Sequence, residues 1–387
     1  MTKNAQEVSK GNLTVLVGNG MTIALNRDLT LKKITEEALS AIQSDSGDDV
    51  AKVMQALAER VNFGGEGGAD SDFEKLVGAF GFEARNLGLL GEIADNLGGV
   101  SDKSLAAAIE QTRKFSNEVQ LRGISHVLEY IDNYAKLEGG DLGKLREILQ
   151  DLVDSFPTGI ITFANLNYDT ILMQGLFPYK EELADMADGS QPQEIDLFGT
   201  GPLPAHSMRV GVNFPRERRL RLVHLHGSLT FWEREDEAGP VKVKRNDVSQ
   251  AQPWKALRAG SSNVRPCVVL AKPEDKPEII KESPYDLAYE VFEDAMGSAD
   301  GCVVIGYSFR DDSVNRRIRS AILKRSIRSL LVVGTSSTTR EDVLDNLGLI
   351  EDKLDKNFEI FVDQEGAVGF TTREKWNSFK EWLGQGN

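Results

Sequence analysis

The sequence predicts an α/β fold: a parallel sheet flanked by helices and interrupted early by a large all-helical insertion. Three observations predict it. Leu13 to Val17, Ile160 to Phe163 and Leu220 to Leu225 are short apolar runs, each passing abruptly into a polar or glycine-bearing turn, as buried parallel strands do. Between the first two runs, Leu31 to Phe156 carries helical periodicity and almost no strand signal. Further apolar runs at Cys267 to Leu270, Cys302 to Ile305, Leu330 to Thr335 and Phe358 to Val362 add strands. Helix-like stretches at Ser313 to Arg325, Glu341 to Leu349 and Glu374 to Leu383 accompany them.

Composition sets the outer limits. With 387 residues and 40% apolar content the chain can bury a sizeable core. We divide it into an α/β domain formed by residues 1–30 and 156–387 and a helical insertion of residues 31–155. Four histidines and two cysteines rule out a disulfide framework, and Met1 to Asn12 is too polar for a secretory signal. No apolar run approaches the roughly 18 residues a membrane crossing needs, so a cytoplasmic location is expected. The formal charge of -15 argues against broad binding to a phosphate backbone, local basic patches aside.

The first strand ends in Gly18-Asn19-Gly20, a turn that opens a helix. Glycines there let the backbone approach a pyrophosphate, and free N–H groups at a helix start favour its negative charge. A tight structural turn explains the same glycines, and the third glycine of the dinucleotide fingerprint is missing. Helices are then expected over Leu31–Ile42, Val50–Val61, Phe73–Phe80, Leu105–Phe115, Val119–Leu137 and Leu142–Leu152. Ser101 and Asp141 read as caps, and Gly64 to Gly68 and Gly139-Gly140 as breakers. The insertion either packs over the sheet or serves as a lid or an oligomer surface.

The Ile160 strand runs into Asn167-Tyr168-Asp169. In open α/β sheets ligands sit beyond the carboxyl ends of the strands, which is where Asn167 and Asp169 would lie. The alternative is an Asx turn that merely caps the next helix. Leu176 to Pro215 reads as loop, with His206 on the surface. Arg216, Arg218, Arg219 and Arg221 read as a solvated or salt-bridged face, or else as a contact with phosphates or a partner. Alternation along the Leu220 strand puts Leu222, His224 and His226 on one side. His224 is expected inside the sheet; His226, before Gly227, is the better candidate for chemistry because glycine leaves room beside it. No carboxylate or cysteine cluster stands near this His-x-His pair, so no metal is predicted. Cys267 and Cys302 lie in apolar runs, where a thiol acts as a small core residue. Ser313 to Arg325 reads as a helix packed on the sheet through Val314, Ile318, Ala321 and Ile322. Its basic side is either solvated or a docking face for an acidic subunit or nucleic acid.

Taken in order, Gly18-Asn19-Gly20, Asn167-Tyr168-Asp169, Leu225-His226-Gly227 and Gly306-Tyr307-Ser308-Phe309 resemble the sirtuin-like NAD-consuming proteins, in forms similar to the bacterial branch found in antiphage defence. The resemblance spans Gly18 to Asp312 and leaves the segment between the first two motifs unmatched. It implies a Rossmann-like, sirtuin-like sheet and a set of roles. Gly18, Asn19 and Gly20 would cradle the pyrophosphate, and Gly306 and Ser308 would contact the adenosine side. Asn167 would orient the ribose and a water, Asp169 would bind the nicotinamide carboxamide, and His226 would be the general base. The chain departs from the deacylase sirtuins, whose zinc module is built on four cysteines in two Cys-x-x-Cys pairs; with only Cys267 and Cys302 it has no such module. Peptide deacylation loses support, and plain cleavage of NAD gains it.

The function this implies is an NAD-hydrolysing defence effector that depletes cellular NAD. Nothing after the last helix resembles a sensing domain, so the resemblance also implies a homo-oligomer restrained by a separate partner, such as a hexameric HerA-type DNA-translocating ATPase. Two other classes stay open. One is a sirtuin-like nuclease or nucleic-acid-processing subunit, favoured by the arginine-rich stretches and opposed by the acidic balance. The other is an assembly subunit that binds NAD or ADP-ribose without turnover.

Overall fold

A computed structural model describes residues 11–60, 72–74, 76–78, 90, 103–234, 239–270 and 275–385. The chain begins with β1 (Leu13–Val17), α1 (Asn19–Leu25), α2 (Leu31–Ser46) and α3 (Asp48–Arg60). Helical residues 73–74 and 76–78 precede α4 (Lys103–Tyr134) and α5 (Gly139–Ser155), and then comes β2 (Ile161–Asn165). No strand stands between β1 and β2 among the described residues. After α6 (Ile171–Leu176) come β3 (Leu183–Ala184), β4 (Gln193–Ile195), β5 (Leu203–Ser207), β6 (Leu220–His224), β7 (Gly227–Arg234) and β8 (Val241–Val243). The remainder is α7 (Arg245–Ala251), α8 (Trp254–Arg258), β9 (Val264–Val268), α9 (Lys276–Ile279), α10 (Tyr285–Ser298), β10 (Gly301–Ile305) and α11 (Asp312–Leu323), followed by β11 (Ser329–Val333), α12 (Arg340–Leu347), β12 (Glu359–Asp363) and α13 (Glu374–Gly384).

Seven strands form one parallel sheet in the order β12-β11-β10-β1-β2-β6-β3. Four of its five inner strands, β1, β2, β10 and β11, are buried throughout, which is why they read as unbroken apolar runs rather than alternating ones. Alternate residues serve two cores. Val15, Val17, Phe163 and Val303 pack with Leu145, Ile148 and Leu152 of α5 on one face. Leu16, Ala164, Val304 and Val332 pack with Ala288 and Phe292 of α10 and Ile318 of α11 on the other. Register then levels the carboxyl ends: Val17 stands opposite both Asn165 and Ile305, Asn165 opposite His224, and Ile305 opposite Val333. The turns that follow these five strands therefore meet along one edge.

A second, antiparallel sheet runs β4-β5-β8-β7-β9. Its β4 and β5, together with β3 of the first sheet, fall in the stretch expected to be loop. They are two to five residues long and partly exposed, and although β4 pairs with its neighbour β5, β5 and β3 lean on β8 and β6 further along the chain, so local periodicity does not reveal them. His206 belongs to β5, half-buried. The two sheets are joined directly: β6 passes through Leu225 and His226 into β7.

The helices of the insertion have a small core of their own, in which Leu39 and Ile42 of α2 meet Met54 of α3, Leu76 and Val119 of α4. Two expected helices fuse into the 32-residue α4, since nothing around Ser116-Asn117 stops a helix. Gly139-Gly140 opens α5 rather than breaking the chain, and Asp141 lies in its first turn, not at its cap. The expected Ser101 cap and the Gly64 to Gly68 breaker lie outside the described residues. No helix among the described residues is long and apolar enough to cross a membrane.

Candidate active site

At the common edge lies a cavity of about 420 Å³, lined by Gly18, Asn19, Gly20, Asn167, Asp169, His226, Gly306 and Ser308. All eight residues singled out from the sequence thus face one space, delivered by the ends of β1, β2, β6 and β10. Asp72, the helical residues Phe73 and Glu74 and the turn after β11 add to its walls.

The first turn is built by close approach. A Cβ on Gly18 would stand 2.6 Å from the Gly306 carbonyl oxygen, and one on Gly20 would stand 2.7 Å from Gly306 Cα. Gly306 itself has φ +62, in the region where glycine is favoured. Glycines are needed here for one turn to pack on the other. The N–H of Gly18 donates to Ile305 O at 2.9 Å and that of Gly20 to Gly306 O at 2.8 Å. Neither is the free donor that a helix-start anion site calls for, so the tight structural turn accounts for these glycines.

Asn167 and Asp169 are both buried, and both are tied to Thr22 of α1. Asn167 Nδ2 donates to Gly18 O at 3.2 Å and to Thr22 Oγ1 at 3.0 Å. The Thr22 hydroxyl donates to Asp169 Oδ2 at 2.9 Å, and Asp169 Oδ1 accepts from the Ile171 N–H at 2.9 Å. Asp169 therefore does form the Asx-type turn ahead of α6 while also lining the cavity. Burial pushes its carboxyl up, against the opposing pull of the Ile171 and Thr22 hydrogen bonds and of Arg245.

His226 is held from the opposite side. Its Nε2 lies 2.9 Å from Asp311 Oδ2, and both side chains are buried. An ionised carboxylate only accepts, so it fixes the proton of a neutral His226 on Nε2 and leaves the lone pair on Nδ1. Asp311 is the side-chain cap of α11, taking the N–H groups of Ser313 and Val314 on its other oxygen. Phe309, two residues before it, sits at φ 56, a conformation few bulky residues adopt, where the chain turns to bring Asp311 under His226. Lys276 Nζ reaches the same Asp311 Oδ2 at 3.3 Å and Glu74 Oε2 at 3.6 Å. Burial raises the Asp311 carboxyl, but Lys276 and His226 more than offset it and hold it well below the usual carboxylate range.

His224 goes into the sheet as expected. Its Nδ1 lies 3.3 Å from Asn165 Nδ2, its ring meets Phe231 edge-on, and burial lowers its pKa to about 4. Among the described residues no group of three or more His, Cys, Asp or Glu is arranged to hold a metal ion. Cys267 and Cys302 are buried, and burial pushes both thiols up, Cys302 to about 12.

Sequence reasoning missed Thr22, Glu74, Lys276 and Asp311. Only Asp311 carried a signal, as an aspartate at the start of a helix just after a strand-end turn. Several arginines of the basic stretches pair within the protein. Arg218 and Arg219 bond the carbonyls of Leu183 and Phe156, and Arg221 lies over the Phe214 ring. Arg316, Arg317 and Arg325 pair with Asp312, Glu293 and Asp355.

No family model matches the chain, and no curated protein matches it. Among solved structures, the chain is similar to one described as "Structural Basis for the Mechanism and Regulation of Sir2 Enzymes", with 12% identity, a TM-score of 0.32 and coverage of 97% of this chain and 93% of that one.

Proposed function

We propose that the chain hydrolyses NAD to nicotinamide and ADP-ribose. One observation carries this reading: four strand-end turns, far apart in sequence, bring Gly18 to Gly20, Asn167 with Asp169, His226 and Gly306 with Ser308 around a single cavity. Its size falls within the roughly 300–1,000 Å³ typical of small-molecule sites.

Breaking the nicotinamide–ribose bond leaves the bonding pair on the pyridine nitrogen and builds oxocarbenium-like charge at the anomeric carbon. Water then attacks that carbon. In this reading His226 Nδ1 takes the proton from water, and Asp311 steadies the imidazolium that results. Both amide hydrogens of Asn167 are spent on Gly18 and Thr22, so Asn167 would orient ribose or water through Oδ1. Asp169 would meet the carboxamide of nicotinamide.

The resemblance to the bacterial defence branch extends the proposal to depletion of cellular NAD during phage infection. It also suggests a homo-oligomer restrained by a HerA-type ATPase. Copurification of such an ATPase with this chain would support that extension; full activity as a lone monomer would count against it.

The test is incubation with NAD followed by separation of nicotinamide and ADP-ribose. A folded His226→Ala protein should be slower by about 100-fold or more. Normal hydrolysis by that variant would overturn the assignment. A second reading, NAD or ADP-ribose bound without turnover, is favoured by how fully Asn167 and Asp169 are bonded within the protein. Binding with no nicotinamide released would select it.

A further inference from the structure

Lys276 is the one buried ammonium on the cavity wall among the described residues, and the chemistry above gives it no task. Its side chain is about 10% exposed. A buried lysine normally loses its proton unless anions hold it, and here two carboxylates do. Asp311 Oδ2 lies at 3.3 Å and Glu74 Oε2 at 3.6 Å. Glu74 is itself placed by Tyr168, whose hydroxyl lies 3.1 Å from Glu74 Oε1 and 2.8 Å from Val269 O. The ammonium is thus fixed from the turn after β10 and from the helical insertion at once.

The Asp311 oxygen that Lys276 approaches is the same one that His226 Nε2 approaches. Two groups able to carry positive charge therefore flank one oxygen atom. A lone carboxylate beside an imidazole favours the imidazolium, which has no lone pair and cannot act as a base. A fixed cation on the other flank of that carboxylate opposes the second positive charge. We propose that Lys276 is a positioning residue that keeps the His226 imidazole neutral, and so able to accept a proton, while leaving Asp311 in place to orient it. This rests on the proposed NAD hydrolysis for its purpose, though not for its electrostatics.

The charged groups lining the cavity besides His226 are Asp72, Glu74, Asp169, Lys276, Arg310 and Asp311. Arg310 faces Asp72 at 3.7 Å, and Asp169 is bonded to Thr22 and Ile171. Of the six, Asp311 and Lys276 are the two that converge on the atom bonded to His226. The insertion also has a stake in the ring's protonation, because Glu74 holds the ammonium.

The measurement is an NMR titration of His226 in the full chain, whose four histidines make assignment tractable. Wild type is compared with Lys276→Met and Lys276→Arg, with His226→Gln identifying the resonance. Loss of the cation should raise the His226 midpoint by about one pH unit, a tenfold rise in proton affinity. The arginine variant should stay near wild type. Lys276→Gln, which keeps a donor toward Asp311 without the charge, should match the methionine variant and replaces it if that protein does not fold. An unchanged or lowered midpoint in the neutral variants overturns the proposal. If wild type also releases nicotinamide from NAD, the acid limb of kcat/KM should move upward by the same amount. If it releases none, the proposed function fails while the ring titration still decides the role of Lys276.

Discussion

The Thr22 hydroxyl donates to Asp169 Oδ2 at 2.9 Å across 147 residues of sequence, and it accepts from Asn167 Nδ2 at 3.0 Å. One threonine on the helix after β1 thus sets both polar side chains of the β2 turn. Thr22→Val keeps the shape and deletes the hydroxyl, leaving a buried carboxylate oxygen and a buried amide hydrogen short of partners. Urea unfolding should show a loss of about 2 kcal/mol, and NAD turnover should fall on the order of tenfold. Thr22→Ser keeps the hydroxyl and should recover most of both. A valine variant as stable as wild type would show that the relay is not structural.

Asp169 is stabilised when protonated. Burial raises its folded pKa, so its contribution to stability is complete below the unfolded value of about 4 and is lost as pH rises through the folded value. At neutral pH the ionised group is therefore a cost to the fold. Asp169→Asn should melt at or above wild type at pH 7, with the difference shrinking toward pH 4, while turnover drops on the order of 100-fold. Melting below wild type at pH 7 would contradict this.

His224 sets a different acid limb. Its folded pKa of about 4 lies below the unfolded value near 6.5, so the neutral ring's contribution is present above pH 6.5 and disappears as pH falls toward 4. Unfolding free energy should decline by about 3 kcal/mol across that window. His224→Gln, which cannot take up a proton, should flatten the decline. A wild-type profile already flat between pH 6.5 and 4 would mean that His224 is protonated in the fold.

These side chains also mark what the sequence made legible. The buried strands announced themselves because both faces are covered, so their apolar runs needed no partner to be read. Gly18, Asn167, His226 and Gly306 stood out because each follows such a run. Thr22 and Lys276 lie on helices and Glu74 in a helical piece, where one polar residue looks like any other, and their roles come from contacts 35 to 202 residues away. Most of the antiparallel sheet was hidden for a related reason: apart from the apolar run at Cys267, its β4, β5 and β8 are short and partly exposed, and they depend on their pairing for stability rather than on their own composition.

Gly227 joins the two sheets at φ +81, and a Cβ there would stand 1.9 Å from the Cys267 carbonyl oxygen. Neither backbone can give way without breaking the β7–β9 pairing. Gly227→Ala should cost several times the roughly 1 kcal/mol of an ordinary left-handed alanine and should displace His226, which precedes it. Soluble, normally melting Gly227→Ala protein would show that the junction relaxes more readily than its contacts imply.

Asp311 supplies the last expectation, because it answers to two cations at once. Its folded pKa is depressed, so its contribution is present above the unfolded value of about 4 and is lost as pH falls below it, a window distinct from that of His224. Asp311→Asn leaves Lys276 with Glu74 alone and can donate rather than accept at His226, which frees the ring to take the wrong tautomer. The cost should be about 3–5 kcal/mol in unfolding free energy, as for other buried pairs that lose one member. NAD turnover should fall by roughly 100-fold or more even where the protein is folded, because the lone pair on Nδ1 is no longer enforced. The His224 limb between pH 6.5 and 4 should survive in this variant, while the steeper loss below pH 4 should diminish. If both limbs vanish together, the two histidine environments are coupled, and the separate assignments of His224 to the fold and His226 to chemistry fall with them.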